Sequence, residues 1–299
     1  MNKVLKAIKL IGNPAKLVVY MNVYGFSRFL PDKLVIKCQY KYRMGKKLNL
    51  DNPKTFNEKL QWLKLYDRNP SYPRLVDKIE VKEYIKEVLG EEYIIPTLGV
   101  WDRFEDIDFD ALPDRFVLKC THDSGSYIIC PNKKELDMEA ARTKINKSLK
   151  RNYFWRGREW PYKSLKPRII AEQFMEDETA SGLKCYKFFC FDGEVKLILT
   201  GSANDDFIDF YDTDYNHLDI AVDGHAHSEP PYYVPINYKE MICIASKLSK
   251  GFPQVRVDLY SINGRIYFGE LTFFHAGGMA LFDPPEWDKK LGAWITLPK

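Results

Sequence analysis

"VRVDLYSINGRIYFGELT", residues 255–272, holds two apolar runs joined at Asn263-Gly264. That dipeptide is the strongest short-range signal of a two-residue β-hairpin. Each run carries one carboxylate, Asp258 and Glu270, and Arg256 stands two residues before the first. Alternate residues of a strand share a face, so Arg256 and Asp258 point one way while Val255 and Val257 point the other. Glu270 and Thr272 share a face likewise. Two acids on a core-building hairpin are either ordinary charges on a wet sheet face or the two sides of a cation site, and magnesium takes carboxylate oxygens. Register separates the two readings. A plain two-residue loop pairs 262 with 265 and therefore 258 with 269, which sends Asp258 and Glu270 to opposite faces. A shared cation requires an odd-length loop, in place of a plain two-residue turn, or a bulge.

Upstream, "FVLKCTHDSGSY" (116–127) reads as an apolar strand ending near Lys119, a loop of small residues (Ser124, Gly125, Ser126), and a second strand. Backbone N–H groups of such a loop can cradle phosphate oxygens beside a lysine. The same residues also suit an ordinary hairpin loop, and the spacing is not that of a Walker A loop. "IIAEQFMED" (169–177) is an apolar strand that turns acidic at Glu172, Glu176 and Asp177. It is either a strand leaving the core or a strand offering backbone to a base and carboxylates to a ribose. In "CYKFFCFDGEV" (185–195), Lys187 is set among Tyr186, Phe188 and Phe189, so it needs an exposed face or an anionic partner. "YDTDYN" (211–216) contains the Asp-x-Asp pattern with which many glycosyltransferases hold a metal and a nucleotide sugar. Here Asp212 and Asp214 sit among turn formers, and a β-turn is the simpler reading. "HAH" (225–227) suggests a metal, but no third ligand is placed by spacing, which leaves a surface loop.

Around these motifs the chain alternates helices and hairpins. Thr55 with Glu58 forms a capping-box pattern that opens a helix in "DNPKTFNEKLQWLKLYDRNP" (51–70). A second helix is predicted over 72–90, ending at Gly90, with Val76, Ile79, Val81, Tyr84, Ile85 and Val88 on its apolar face. Further helices are predicted in "KKELDMEAARTKINKSLKRN" and "YKEMICIASKLSKGF", a hairpin turning at Asp192-Gly193, and a long irregular stretch over 202–235. Hairpins without regular βαβ alternation indicate an α+β fold with antiparallel sheets.

Bulk features narrow the function classes. The 299 residues are 45% hydrophobic and 14% aromatic, enough for a large core. No apolar run approaches the ~20 residues of a membrane span, and the first residues lack the cleavage pattern of a signal peptide. Six cysteines without metal spacing read as free thiols of a cytoplasmic protein. The net charge of +4 is uneven: residues 1–48 hold eleven basic residues against Asp32, so the remaining 251 carry −6. A basic, partly apolar leader suits either attachment to an anionic membrane surface or packing on the domain. Basic charge confined to one end, with no accompanying motif, argues against nucleic-acid binding.

The order of the pieces resembles the layout of ATP-grasp enzymes. The wording of "FNEKLQWLKLYDR", "VDKIEVKEYI", "FVLKCTHDSGS", "YKFFCFDGE", "FYDTDYNHL" and "VRVDLYSINGRIYFGELTF" resembles the TupA-like ATP-grasp family from about residue 50 onward. That family is tied to bacterial cell-surface polysaccharide and teichuronopeptide biosynthesis, and its members are often labelled glycosyltransferases. The resemblance implies an ATP-grasp fold, two α+β subdomains sandwiching ATP with Mg2+. It divides the chain into a leader (1–50), a helical region (51–115) and a catalytic region (116–299). It implies that Lys78 is a nucleotide-side lysine before the central domain, that Lys119 contacts the α- and β-phosphates, and that the 122–127 loop, with Ser124, Gly125 and Ser126, closes over the phosphates. Glu172, Gln173 and Phe174 would meet the adenine, with Glu176 or Asp177 near the ribose. Lys187 would be a second phosphate lysine. Asp258, Glu270 and Thr272 would hold magnesium, and Arg256 would stabilise the transferring phosphoryl group or a tetrahedral intermediate. Many ATP-grasp proteins have Glu-x-Asn where this chain has Glu270-Leu271-Thr272. The implied chemistry is activation of a carboxylate as an acyl phosphate and attack by an amine. The substrate would be a small molecule or a glycan precursor.

Overall fold

The structure is a computed structural model and describes residues 14–23, 25–177, 182–201, 207–228 and 234–298. The first thirteen residues of the basic leader lie outside the described residues, as do parts of the 202–235 stretch.

The described part of the leader is largely helical: α1 (Pro14–Val23) and α2 (Asp32–Met44). Both are tied to the turn at 154–158. Asn22 and Gln39 donate to the Arg156 carbonyl at 3.1 and 2.9 Å, and the buried Arg158 guanidinium reaches Asp32 at 2.8 Å and the Ser27 carbonyl at 2.7 Å. The capping box forms as its pattern predicts: the Thr55 hydroxyl accepts from the Glu58 N–H and the Glu58 carboxylate accepts from the Thr55 N–H. It opens α3 (Phe56–Tyr66).

The single helix expected over 72–90 is two, α4 (Tyr72–Val76) and α5 (Glu80–Val88). Asp77 makes the break. Its backbone is extended (ψ 127°), and its carboxylate accepts from the N–H groups of Ile79 and Glu80 at 2.9 and 3.1 Å, capping α5 in place of the preceding turn. Lys78 is thereby lifted out of a helix and bonds through its own N–H to the Thr121 carbonyl at 3.1 Å.

Two antiparallel sheets complete the architecture. The first has four strands, β1 (Thr97–Trp101), β2 (Phe116–Cys120), β3 (Tyr127–Cys130) and β4 (Ile169–Gln173), in the order β1-β4-β2-β3. Its strand β1 lies before residue 116. It buries one face on α6 (Met138–Leu149) through Ala141 and Ile145, and the short α7 (Phe154–Gly157) comes next in the chain. The second sheet has six strands: β5 (Lys184–Phe191), β6 (Glu194–Gly201), β7 (Ile208–Tyr211), β8 (His217–Leu218), β10 (Val255–Ile262) and β11 (Arg265–Thr272). Their order is β11-β10-β5-β6-β7-β8. The stretch expected to be irregular thus supplies β7 and β8, and β9 (Ala221–Val222) pairs with β12 (Phe282–Asp283). Helix α8 (Tyr238–Ser249) and the terminal α9 (Glu286–Trp294) pack with α3 and α4 into the largest core, around Phe56, Phe188, Phe189, Met241 and Leu291.

The hairpin at 255–272 resolves the register question. Asn263 (φ 50°) and Gly264 (φ 73°) form a plain two-residue turn, and Ile262 pairs with Arg265. The turn is therefore not the irregular element. The ladder slips at Gly269: Leu259 pairs with Phe268, while Asp258 pairs with Glu270. A side chain at 269 would not fit, because a Cβ there would stand 2.9 Å from the Asp258 carbonyl. We predict that Gly269→Ala lowers unfolding stability by about 1–3 kcal/mol through this overpacking. A urea midpoint equal to that of the parent protein would show that the bulge tolerates a side chain.

Candidate active site

The bulge places Asp258 and Glu270 on one face, and Arg256 between them. The Arg256 guanidinium bonds both Asp258 oxygens at 2.7 and 2.6 Å, reaches Glu270 at 3.1 Å, and meets His275 Nδ1 at 2.9 Å. Thr272 donates its hydroxyl to Glu270 at 2.9 Å. Lys187 stands directly opposite Asp258 across the β5–β10 pair. Burial works to raise the Asp258 carboxyl and prevails over the opposing pull of Arg256. Glu270 goes the other way: burial opposes ionisation, but Arg256 and Lys78 together hold its carboxyl below the ordinary value. Its side chain is half-exposed while Asp258 is nearly enclosed.

An arginine only donates, so His275 accepts at Nδ1 and carries its proton on Nε2. Burial, then Arg256 and Lys187, push this imidazole well below its ordinary pKa, so it is neutral. Its buried Nε2 has no hydrogen-bond partner among the described residues. The neighbouring turn is pinned from below, where the buried Lys64 and Gln61 donate to the Gly277 carbonyl at 2.8 Å each. Burial lowers the Lys64 ammonium to about 8.

The facing wall comes from the four-stranded sheet and the α4–α5 break. Lys78 donates to the Asp123 carbonyl. Its ammonium is lowered by burial, and the charge of Glu270 on the other wall counteracts this, which joins the two walls electrostatically. Asp123 anchors the 122–127 loop: it accepts from Ser126 and Ser148, and from Arg151 at 2.8 Å. Ser126 is thus turned inward, and Ser124 and Gly125 (φ 84°) form the exposed tip.

Lys119 and Lys82 converge on the buried Glu172, at 2.6 and 2.5 Å. The Glu172 carboxylate is therefore directed at the lysines. Gln173, Phe174 and Glu176 instead line a groove of about 390 Å³ whose other wall is the hairpin end, including Asn263 and Tyr267. Asn263 donates to the Glu176 carbonyl at 3.1 Å and closes one end, while Arg115 lies over the Phe174 ring and pairs with Glu176. Asp177 is buried. A larger open groove of about 530 Å³, near Asp192 and Lys250, contains none of these residues. The Asp-x-Asp motif forms a turn: Asp212 accepts from the N–H groups of Asp214 and Asn216 at 3.0 and 2.8 Å.

Sequence reasoning missed Lys82, Asp123 and Lys64, and placed His275 near the substrate pocket without assigning it a role. Lys82 was within reach, since it comes four residues after Lys78. The others become visible only when distant segments meet.

Two antiparallel α+β units, with lysines on one and a carboxylate hairpin on the other, define the ATP-grasp class of fold. The sequence matches the TupA-like ATPgrasp family over residues 58–296, and the chain belongs to that family. Solved structures with related architecture include the D-alanine–D-alanine ligase of Helicobacter pylori (16% identity, 81% of this chain and 69% of that one, TM-score 0.46). The D-alanine–D-alanine ligase of Bacillus anthracis is comparable (16%, 81% and 69%, TM-score 0.44). So is the biotin carboxylase domain of the Hydrogenobacter thermophilus 2-oxoglutarate carboxylase, solved with MgADP, ADP and bicarbonate (16%, 75% and 47%, TM-score 0.42). No curated protein matches. The fold is an ATP-grasp fold.

Breaking the Glu172 cluster leaves two ammonium groups without their shared counter-charge. We predict that Glu172→Gln costs about 3–5 kcal/mol of stability at neutral pH. Burial favours the neutral acid, but Lys119 and Lys82 outweigh it and hold the carboxyl below its ordinary value. A depressed carboxyl contributes stability above the unfolded value, about 4.3, and loses it as pH falls through the lower folded value. Denaturation measured against pH should therefore fall off less steeply below that point in the variant than in the parent. Identical slopes would contradict the pairing.

Proposed function

We propose that the protein is an ATP- and Mg2+-dependent ligase that activates a carboxylate as an acyl phosphate and joins it to an amine. The observation that carries this reading is the Arg256–Asp258–Glu270 cluster, with Lys187 opposite Asp258 and Lys78 within electrostatic reach of Glu270. Transfer of a phosphoryl group passes through a loose, charge-spread transition state, and its catalysis is mainly positioning and charge stabilisation. Lys78, Lys119 and Lys187 supply positive charge for the phosphates, and the Ser124–Gly125 tip offers backbone N–H groups above them. The Gln173–Glu176 groove suits the base and ribose.

Hard carboxylate and hydroxyl oxygens at Glu270, Thr272 and Asp258 fit magnesium by donor type, although Arg256 spans both Asp258 oxygens. Magnesium, when bound, would neutralise phosphate charge. Arg256, pre-oriented by Asp258, is suited to stabilise the transferring phosphoryl group or the tetrahedral intermediate.

The family resemblance supports a role in cell-surface polysaccharide formation, with a uronic acid or similar acid as one partner. Exposed Phe26 and Phe29 beside Arg28 and Lys33 suit work near an anionic membrane surface. Among the described residues no helix is long and apolar enough to cross a membrane.

Purified protein incubated with ATP, Mg2+ and acid–amine pairs should release ADP. One 18O should pass from a labelled carboxylate to the released phosphate. We predict that Glu270→Gln lowers this turnover about 10²–10³-fold, whereas Asp214→Asn leaves it unchanged. Phosphate retained on the product would identify a kinase, and nucleotide-sugar-dependent transfer lost in Asp214→Asn a glycosyltransferase. Binding without turnover would indicate a scaffold, and failure to bind ATP-Mg2+ would remove the reading altogether.

A further inference from the structure

Away from the cleft, Asp209, His217 and His227 come together although their sequence spacing matches no metal-binding motif. Asp209 lies on β7 and is fully buried; His217 opens β8; His227 comes after β9 on a segment fixed beside β7 by the bond from the Ile208 N–H to the Ala226 carbonyl. One ring nitrogen of each histidine and a carboxylate oxygen of Asp209 all lie within 4.8 Å of one another. His217 Nε2 is 3.0 Å and His227 Nδ1 3.2 Å from Asp209 Oδ1, with the Ser228 N–H on the same oxygen at 3.3 Å.

Read only as hydrogen bonds, this arrangement uses every acceptor site of the buried carboxylate: both imidazoles on Oδ1, the Ser228 hydroxyl on Oδ2, and the Ser228 N–H shared between the two oxygens at 3.3 Å each. The other nitrogen of His227 faces a second carboxylate, Asp219, at 3.6 Å. Only an imidazolium, with an N–H on each side, could donate to both acids. A metal ion offers the alternative for a neutral ring: it would take the Nδ1 lone pair and leave the proton on Nε2, facing Asp219. A carboxylate behind the distal nitrogen is the usual support of a metal-bound histidine.

We propose that Asp209, His217 and His227 form a binding site for a borderline divalent transition metal, with zinc as the best match. Two imidazole nitrogens and one carboxylate oxygen are a zinc donor set, and three protein ligands leave one position open. Asp219 is a positioning residue that orients His227. The pairings Asp209–Thr200, Thr200–Tyr186 and Tyr186–Leu259 run one residue out of step with the Lys187–Asp258 pair. The site therefore lies on the opposite face of the sheet from the Arg256–Asp258–Glu270 cluster and clamps the 217–228 segment onto β7.

The test uses the full chain, stripped with EDTA, dialysed, and titrated with Zn2+ alone by calorimetry. Saturable binding of about one zinc per chain is expected, lost in both His217→Ala and His227→Ala. Asp219→Asn should weaken binding about tenfold. His225→Ala and Glu270→Gln should leave it intact, which keeps this result independent of the nucleotide site. Should the histidine variants fail to fold, X-ray absorption of the zinc-loaded parent protein decides, with two imidazole ligands expected. Absence of saturable binding, survival of binding in both histidine variants, or a zinc spectrum without imidazole scattering would overturn the proposal.

Discussion

Two carboxylates that face each other and both stay ionised need positive charge between them, because burial penalises each charge and proximity adds repulsion. Here Arg256 provides that charge. Its guanidinium takes Asp258 with two bonds and Glu270 with a third, and His275 holds its remaining arm. The cluster is possible only because the ladder slips at Gly269, where a side chain would collide with the Asp258 carbonyl. A regular hairpin of the same composition would have put one acid on each face. Lys187, Lys78 and the turn at 275–278 are arranged around this fixed point.

The opposite wall obeys the same rule with the signs reversed. Lys82 and Lys119 approach each other because Glu172 is buried between them. Asp123 draws Ser126, Ser148 and Arg151 together beneath the loop tip, leaving Ser124 and Gly125 exposed. Each wall is thus internally compensated. The cleft is lined by charge that is held in place yet not fully spent, as the mutual influence of Lys78 and Glu270 shows.

Much of the fold was legible because local rules decide it. The Thr55–Glu58 capping box and the Asn263-Gly264 and Asp192-Gly193 turns form where the sequence places them. The hairpin also carried its own register argument: residue numbering alone showed that a shared cation needs either an odd-length loop or a bulge, and the structure has the bulge with a plain two-residue turn. The break at Asp77 was not legible, since apolar spacing continues straight through it and only a side-chain cap interrupts the helix. Strand β7 was hidden inside a stretch rich in turn formers. Glu172 read as a nucleotide-side acid, but its lysine partners come from a helix some ninety residues earlier and from a neighbouring strand. The ligand-like meeting of Asp209, His217 and His227 was equally invisible, because pairing of β7 with β8 and the return of residue 226 create it.

We propose that the Glu270 side of the hairpin is where a divalent cation meets a nucleotide. Manganese in place of magnesium makes this visible by electron paramagnetic resonance. With ADP present, the parent protein should bind Mn2+ as a protein–metal–nucleotide complex. Glu270→Gln should abolish that signal while ADP binding persists. An unchanged manganese signal in Glu270→Gln, with ADP bound, would contradict the account.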